Sequence, residues 1–133
     1  MKPTLTLIHG VADYMMAALL LVAPWLFGFS HDPVAASCTL GFGLTTIGYS
    51  LFTDYELAAR RLIPMPAHLA LDAVCGGLLI GAPFMMGFAH TTWVPHLVMG
   101  CVECGAAIGF ALLFGILRLT GRPQIRRTRG MAR

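Results

Sequence analysis

Apolar residues fall into four long runs, about Leu5–Phe29, Val34–Phe52, Ala67–Phe88 and Val94–Leu117, broken by "SHDP", "TDYELAARRLIPMP" and "AHTTW". None of the runs alternates polar and apolar residues as a half-buried strand does, and an open sheet cannot satisfy its edges in lipid. A helix rising 1.5 Å per residue needs about 20 residues to cross a hydrocarbon core of about 30 Å. Each run is of that order. The pattern therefore predicts an all-α membrane protein of four transmembrane helices in two hairpins.

The polar positions inside the runs repeat. A shift of 59 residues carries His9 onto His68, Asp13 onto Asp72 and "APWLFGFSH" (23–31) onto "APFMMGFAH" (82–90). Between His9 and His31 it matches His9, Asp13, Leu19, Leu20, Ala23, Pro24, Gly28, Phe29 and His31, nine of 23 positions, where chance would match one or two. The chain is read as a tandem duplication. Residues 1–62 form the first two-helix repeat, 63–118 the second, and 119–133 a basic tail.

Composition agrees with lipid as the solvent. Apolar residues make up 57% of the chain and charged residues 11%, against about 25% charged in a soluble domain. The net charge of +3 matters less than its placement. Lys2, Arg60, Arg61, Arg118, Arg122, Arg126, Arg127, Arg129 and Arg133 all fall on the N-terminal tail, the middle loop or the C-terminal tail. The positive-inside rule then makes both termini cytoplasmic and the two hairpins parallel, in a multi-pass inner-membrane protein. Trp25 and Trp93 fall near the outward boundary and Tyr55 near the inward one, as aromatic belts do. The tail "RLTGRPQIRRTRGMAR" is expected to meet anionic lipid headgroups, with no nucleic acid as partner. The first run is expected to stay on the protein, since "FSHDP" separates it from the lipoprotein-like "AASC".

A proline inside a lipid-embedded helix frees a carbonyl and kinks the axis. Pro24 and Pro83 lie toward the outward ends of the first and third runs. Each precedes a Gly-Phe pair at which the helix is expected to end. Here the chain resembles the SPW-repeat integral membrane family, whose unit is two transmembrane helices with a Ser-Pro-Trp motif in the first. The motif reads Ala23-Pro24-Trp25 and Ala82-Pro83-Phe84, so both copies have Ala for Ser and the second has Phe for Trp. The resemblance spans about residues 5–118. It implies topology and residence in bacterial or archaeal membranes, and brings no catalytic residues with it.

Several residues could carry chemistry. His9, Asp13, Leu20, Pro24 and His31 fall on one stripe of a helix, and their duplicates do likewise. Facing each other in a bundle, these stripes would gather His9, His68, Asp13 and Asp72 on one side and His31 with His90 on the other. Paired histidines suit bis-imidazole haem ligation, and His with Asp suits a metal ion. The structural alternative is that each His at i bonds its Asp at i+4.

"CVEC" puts Cys101 and Cys104 one turn apart on the fourth helix, which opens thiol redox chemistry. A shuttling partner pair would have to come from Cys38 and Cys75. Glu103, the one acidic residue near the middle of a run without a duplicate, lies about 15 Å deep. With His96, and facing Thr39, Thr46, Ser50 and Thr53, it could line a narrow hydrated track for protons or small solutes. The plainer reading is a protonated Glu103 bonded to one hydroxyl. Gly77 with Gly81, Gly105 with Gly109, and Gly41, Gly43 and Gly48 would allow close helix contacts inside the bundle or with another chain. The expected function is a scaffold or accessory subunit without enzymatic activity, in a homo-oligomer or larger membrane complex. The alternatives are a haem- or metal-binding redox module and a pathway through Glu103.

Overall fold

The computed structural model describes residues 3–120, all of whose regular structure is helical: α1 (Pro3–Leu26), α2 (Pro33–Ser50), α3 (Met65–Met85) and α4 (Val94–Thr120). The basic residues beyond Thr120 lie outside the described residues. Every apolar run becomes a helix, but α1 and α3 each stop three residues before the run does. The cause is backbone chemistry that hydropathy does not register. Gly28 and Gly87 take φ of 74° and 78°, the left-handed conformation that closes helix C-termini and penalises any Cβ.

Beyond those glycines the chain folds back, and Phe29 and Phe88 enter the core at 1% and 2% exposure. Pro24 and Pro83 are each third from the end of their helix. A proline there costs only one intrahelical bond. Its own carbonyl still accepts, from the Phe29 N–H (2.9 Å) at Pro24 and the Ala89 N–H (2.9 Å) at Pro83.

α2 begins with a side-chain cap. Asp32 accepts from the N–H groups of Val34 (3.0 Å) and Ala35 (3.1 Å), and Pro33 starts the first turn, where a missing N–H is harmless. Asp32 is partly exposed, and the Ala35 N–H is the largest influence holding its carboxyl below the ordinary 3.8. The α2–α3 connection, 51–64, is knitted by backbone bonds: Leu62 and Ile63 donate to the Phe52 carbonyl at 2.9 and 2.8 Å, and Asp54 donates to Ile63 at 2.8 Å. It tucks Tyr55 into the bundle at 2% exposure.

α1 packs on α2 and α3 on α4, and the hairpins meet through α2–α3 and α1–α4, so α1 and α3 stand diagonally across the middle. The closest crossing is α3–α4 at Gly76 and Gly100. A Cβ on Gly100 would lie 2.6 Å from the Gly76 carbonyl, and one on Gly76 2.8 Å from the Gly100 carbonyl. By contrast Gly41, Gly48, Gly77, Gly105 and Gly109 have no atom within 4 Å of the site a Cβ would take.

The bundle buries its ionisable side chains and turns large apolar ones outward. All carboxylates and imidazoles of the four helices (His9, Asp13, His68, Asp72, His96 and Glu103) are buried. Met15, Val22, Trp25, Phe84, Met85 and Ile116 are more than half exposed. Such a distribution is stable only where the surroundings are as apolar as the surface. Three helices, Thr4–Leu26 in α1, α3 and α4, are long and apolar enough to cross a membrane. α2, at 18 residues, would be about 27 Å long.

Candidate functional site

The centre of the bundle nearer the chain termini is built by α1 and α3. Because His and Asp four residues apart share a helix face, each helix presents one such pair inward, and the diagonal placement brings the two pairs together. The shortest contacts cross between helices: His9 Nε2 is 3.1 Å from Asp72 Oδ2, and His68 Nε2 is 2.9 Å from Asp13 Oδ2. The i,i+4 contacts expected from sequence are also made, but they are longer, 3.6 Å for His9–Asp13 and 3.3 Å for His68–Asp72. The reason is orientation. Side chains pointing at the bundle axis approach the opposite helix more closely than their own. All four residues are buried, between 0% and 8% exposed.

α2 and the connection that follows it supply the supporting groups. Tyr49 Oη donates to Asp72 Oδ1 at 2.7 Å, which leaves Oδ2 for the two imidazoles. Thr53 Oγ1 lies 2.8 Å from the Tyr49 carbonyl and 2.8 Å from His68 Nδ1. A hydroxyl carries one proton. With that proton on the Tyr49 carbonyl, Thr53 can only accept from His68 Nδ1, while the His68 Nε2 is turned to Asp13. Tyr55 closes this end, its ring 5.6 Å from that of His68 and perpendicular to it.

Glu103 enters from α4. Its Oε1 is 3.4 Å from Thr46 Oγ1 and 3.5 Å from Tyr49 Oη, and its Oε2 is buried without a hydrogen-bond partner. Between Glu103 and the cluster lies a cavity of about 50 Å³ that His9, Asp13, Asp72 and Glu103 help to line. Glu103 thus belongs to the same polar centre as the His/Asp cluster. His96 does not. It sits near the hairpin loops, bonded to the Ala35 carbonyl (3.3 Å) and flanked by the rings of Phe29 (5.2 Å) and Phe88 (4.8 Å). Met99, one turn from each, is buried in an apolar cluster with Leu20, Ala23, Leu79 and Ala82.

The match to the SPW repeat domain extends over residues 7–110 and so contains every one of these residues. The chain belongs to the SPW repeat family. No curated protein and no solved structure matches it. In this SPW member the motif alanines and prolines are buried, whereas Trp25 and Phe84 are 67% and 65% exposed. The motif's small residues pack inward and its aromatic faces out.

The other sequence-predicted residues lie outside this polar centre. His31 and His90 are exposed in the two hairpin connections. Cys101 is exposed and Cys104 lies in the α3–α4 seam, its thiol 3.4 Å from the Ala73 carbonyl, while Cys38 and Cys75 are buried; all four are free thiols. For haem the central cavity is far too small, and the His9 and His68 rings stand edge-on with centroids 5.2 Å apart. A single ion is a different matter, since one ligand atom from each of His9, Asp13, His68 and Asp72 lies within 4.8 Å of the others. Tyr49 is the partner that sequence reasoning missed. Its signal was available: with Thr46 and Thr53 it continues a polar spacing of i, i+3 and i+7 that runs from α2 into the connection after it.

Proposed function

We propose that this SPW repeat protein is a non-catalytic, four-span component of a bacterial inner membrane, a scaffold or accessory subunit built from two duplicated, parallel hairpins with both termini cytoplasmic. The observation that carries this reading is the division of labour among its glycines. Gly76 and Gly100 make the internal α3–α4 crossing, while the pairs predicted from sequence, Gly105 with Gly109 and Gly77 with Gly81, meet no neighbouring helix. Small residues on a lipid-facing helix surface are where a further membrane helix packs closely. Gly105, Gly109 and the exposed Cys101 share one face of α4, each four residues from the next.

The fourth span rests on α2. Its length of about 27 Å falls a little short of the hydrocarbon core, a mismatch that local thinning accommodates at modest cost. Of the polar side chains that lower its hydropathy, Thr39, Thr46, Tyr49 and Ser50 are buried and only Ser37 and Thr45 are exposed, so its lipid face is more apolar than its average. The basic tail beyond α4 is read as an anchor on anionic headgroups.

Cross-linking Cys101 in native membranes with a short bismaleimide tests the association, the second occupant being another copy of this chain. A dimer band that Gly105→Leu and Gly109→Leu remove, with the monomer still folded, supports the scaffold reading. A chain that stays monomeric at every expression level contradicts it.

A further inference from the structure

We propose that His9, Asp13, His68 and Asp72 form a binding site for one divalent transition-metal ion of the zinc class, ligated by both imidazole Nε2 atoms and one carboxylate oxygen of each aspartate. The proposal stands independently of the scaffold reading.

The donor set is the first ground. Zinc takes imidazole nitrogen and carboxylate oxygen in four-coordinate sites, whereas calcium and magnesium prefer six or more oxygens. Two carboxylates also balance a divalent charge, which matters at a depth where net charge is costly. The second ground is spacing. Bonds of about 2.0–2.2 Å imply tetrahedron edges of about 3.3–3.6 Å. The His–Asp contacts here are 3.1 and 3.3 Å to Asp72 Oδ2, 2.9 Å to Asp13 Oδ2 and 3.6 Å to Asp13 Oδ1, and one ligand atom of each residue lies within 4.8 Å of the others. Placing an ion requires Asp13 to turn one oxygen toward both imidazoles, the two shorter contacts to open slightly and the widest separations to close.

The third ground lies outside the four ligands. Metal-bound histidines give their other ring N–H to a fixed acceptor, which sets the tautomer. The Thr53 hydroxyl does this for His68, its own proton being held by the Tyr49 carbonyl. Tyr49 in turn pins Asp72 so that Oδ2 faces both imidazoles. Finally, the cavity beside the cluster is lined in part by Glu103, a side chain more than nine-tenths buried whose Oε2 has no hydrogen-bond partner. Its roughly 50 Å³ exceeds what one water needs. A water there could bridge the ion and Glu103.

The test uses the full chain purified in detergent without a histidine tag, stripped with chelator, then offered Zn²⁺ and desalted. The expected result is about one zinc per chain, retained by the H31A/H90A double variant. Affinity should fall at least tenfold in H68Q and D72N, and about 10–100-fold in T53V, which touches no metal but frees the His68 tautomer. Wild-type protein loaded with Co²⁺ should show the intense visible bands of four- or five-coordinate cobalt. Wild type that retains no zinc overturns the proposal, as does unaltered binding by a folded H68Q or D72N, or loss of zinc in H31A/H90A. A faint six-coordinate cobalt spectrum overturns it from wild type alone, whether or not the variants fold.

Discussion

His9 shows how much one side chain carries at the polar centre. Its Nε2 serves Asp72 at 3.1 Å and Asp13 at 3.6 Å, and all three are buried. Removing one member of a buried pair leaves the other charged and desolvated. His9→Ala is therefore expected to destabilise the fold by about 3–5 kcal/mol, measured by denaturant unfolding in detergent micelles. Asp72→Asn in the same background should recover part of the loss, because the stranded carboxylate is gone. An unchanged transition midpoint in His9→Ala would show that the crossed pairs do not hold the hairpins together. These residues were legible in the sequence because the repeat and the helical period place them on matching stripes. Their pairing was not, since i,i+4 spacing is local information and the diagonal placement of α1 and α3 belongs to the bundle.

Helix packing depends on which glycine a helix turns inward. At Gly100 an added methyl would meet the Gly76 carbonyl at 2.6 Å and Ile80 Cγ1 at 2.7 Å. Backbone cannot swing aside, so Gly100→Ala should cost about 1–3 kcal/mol. At Gly105 the same methyl meets nothing within 4 Å, and the better helix propensity of alanine should leave stability equal or slightly higher. Parallel thermal unfolding of the two variants decides the point, and equal melting temperatures would place the crossing elsewhere.

The cap of α2 has a pH signature. Bonding to the Ala35 N–H lowers the folded pKa of Asp32 below 3.8, so its stabilisation is present above that value and disappears as pH falls through the folded pKa. Asp32→Ala should flatten the acid limb of a stability–pH curve in that window and leave the neutral limb parallel to wild type. The helices themselves were legible from hydropathy. Their ends were not, because Phe27–Phe29 and Met86–Phe88 are apolar and continue the runs. The Gly-Phe pairs after Pro24 and Pro83 signal the ends instead, and the left-handed Gly28 and Gly87 are where the chain turns back.

On the scale of the whole molecule, an apolar exterior around a centre of two histidines, two aspartates and a glutamate is what lipid demands and water would forbid. Composition made that legible at once. α2 is the element on which sequence and fold pull differently, since its threonines and glycines lower its hydropathy while its buried face absorbs most of that polarity. Whether it crosses determines where the charged loop at 51–64 lies relative to the two hairpin connections, and with it the parallel relation of the repeats. Reporter fusions measure this directly. A fusion after Pro64 should report the cytoplasm together with both termini, and fusions after His31 and after Thr92 should report the opposite side. A fusion after Pro64 that reports the same side as the one after His31 would mean α2 does not cross, and the four-span, parallel-hairpin architecture would be wrong.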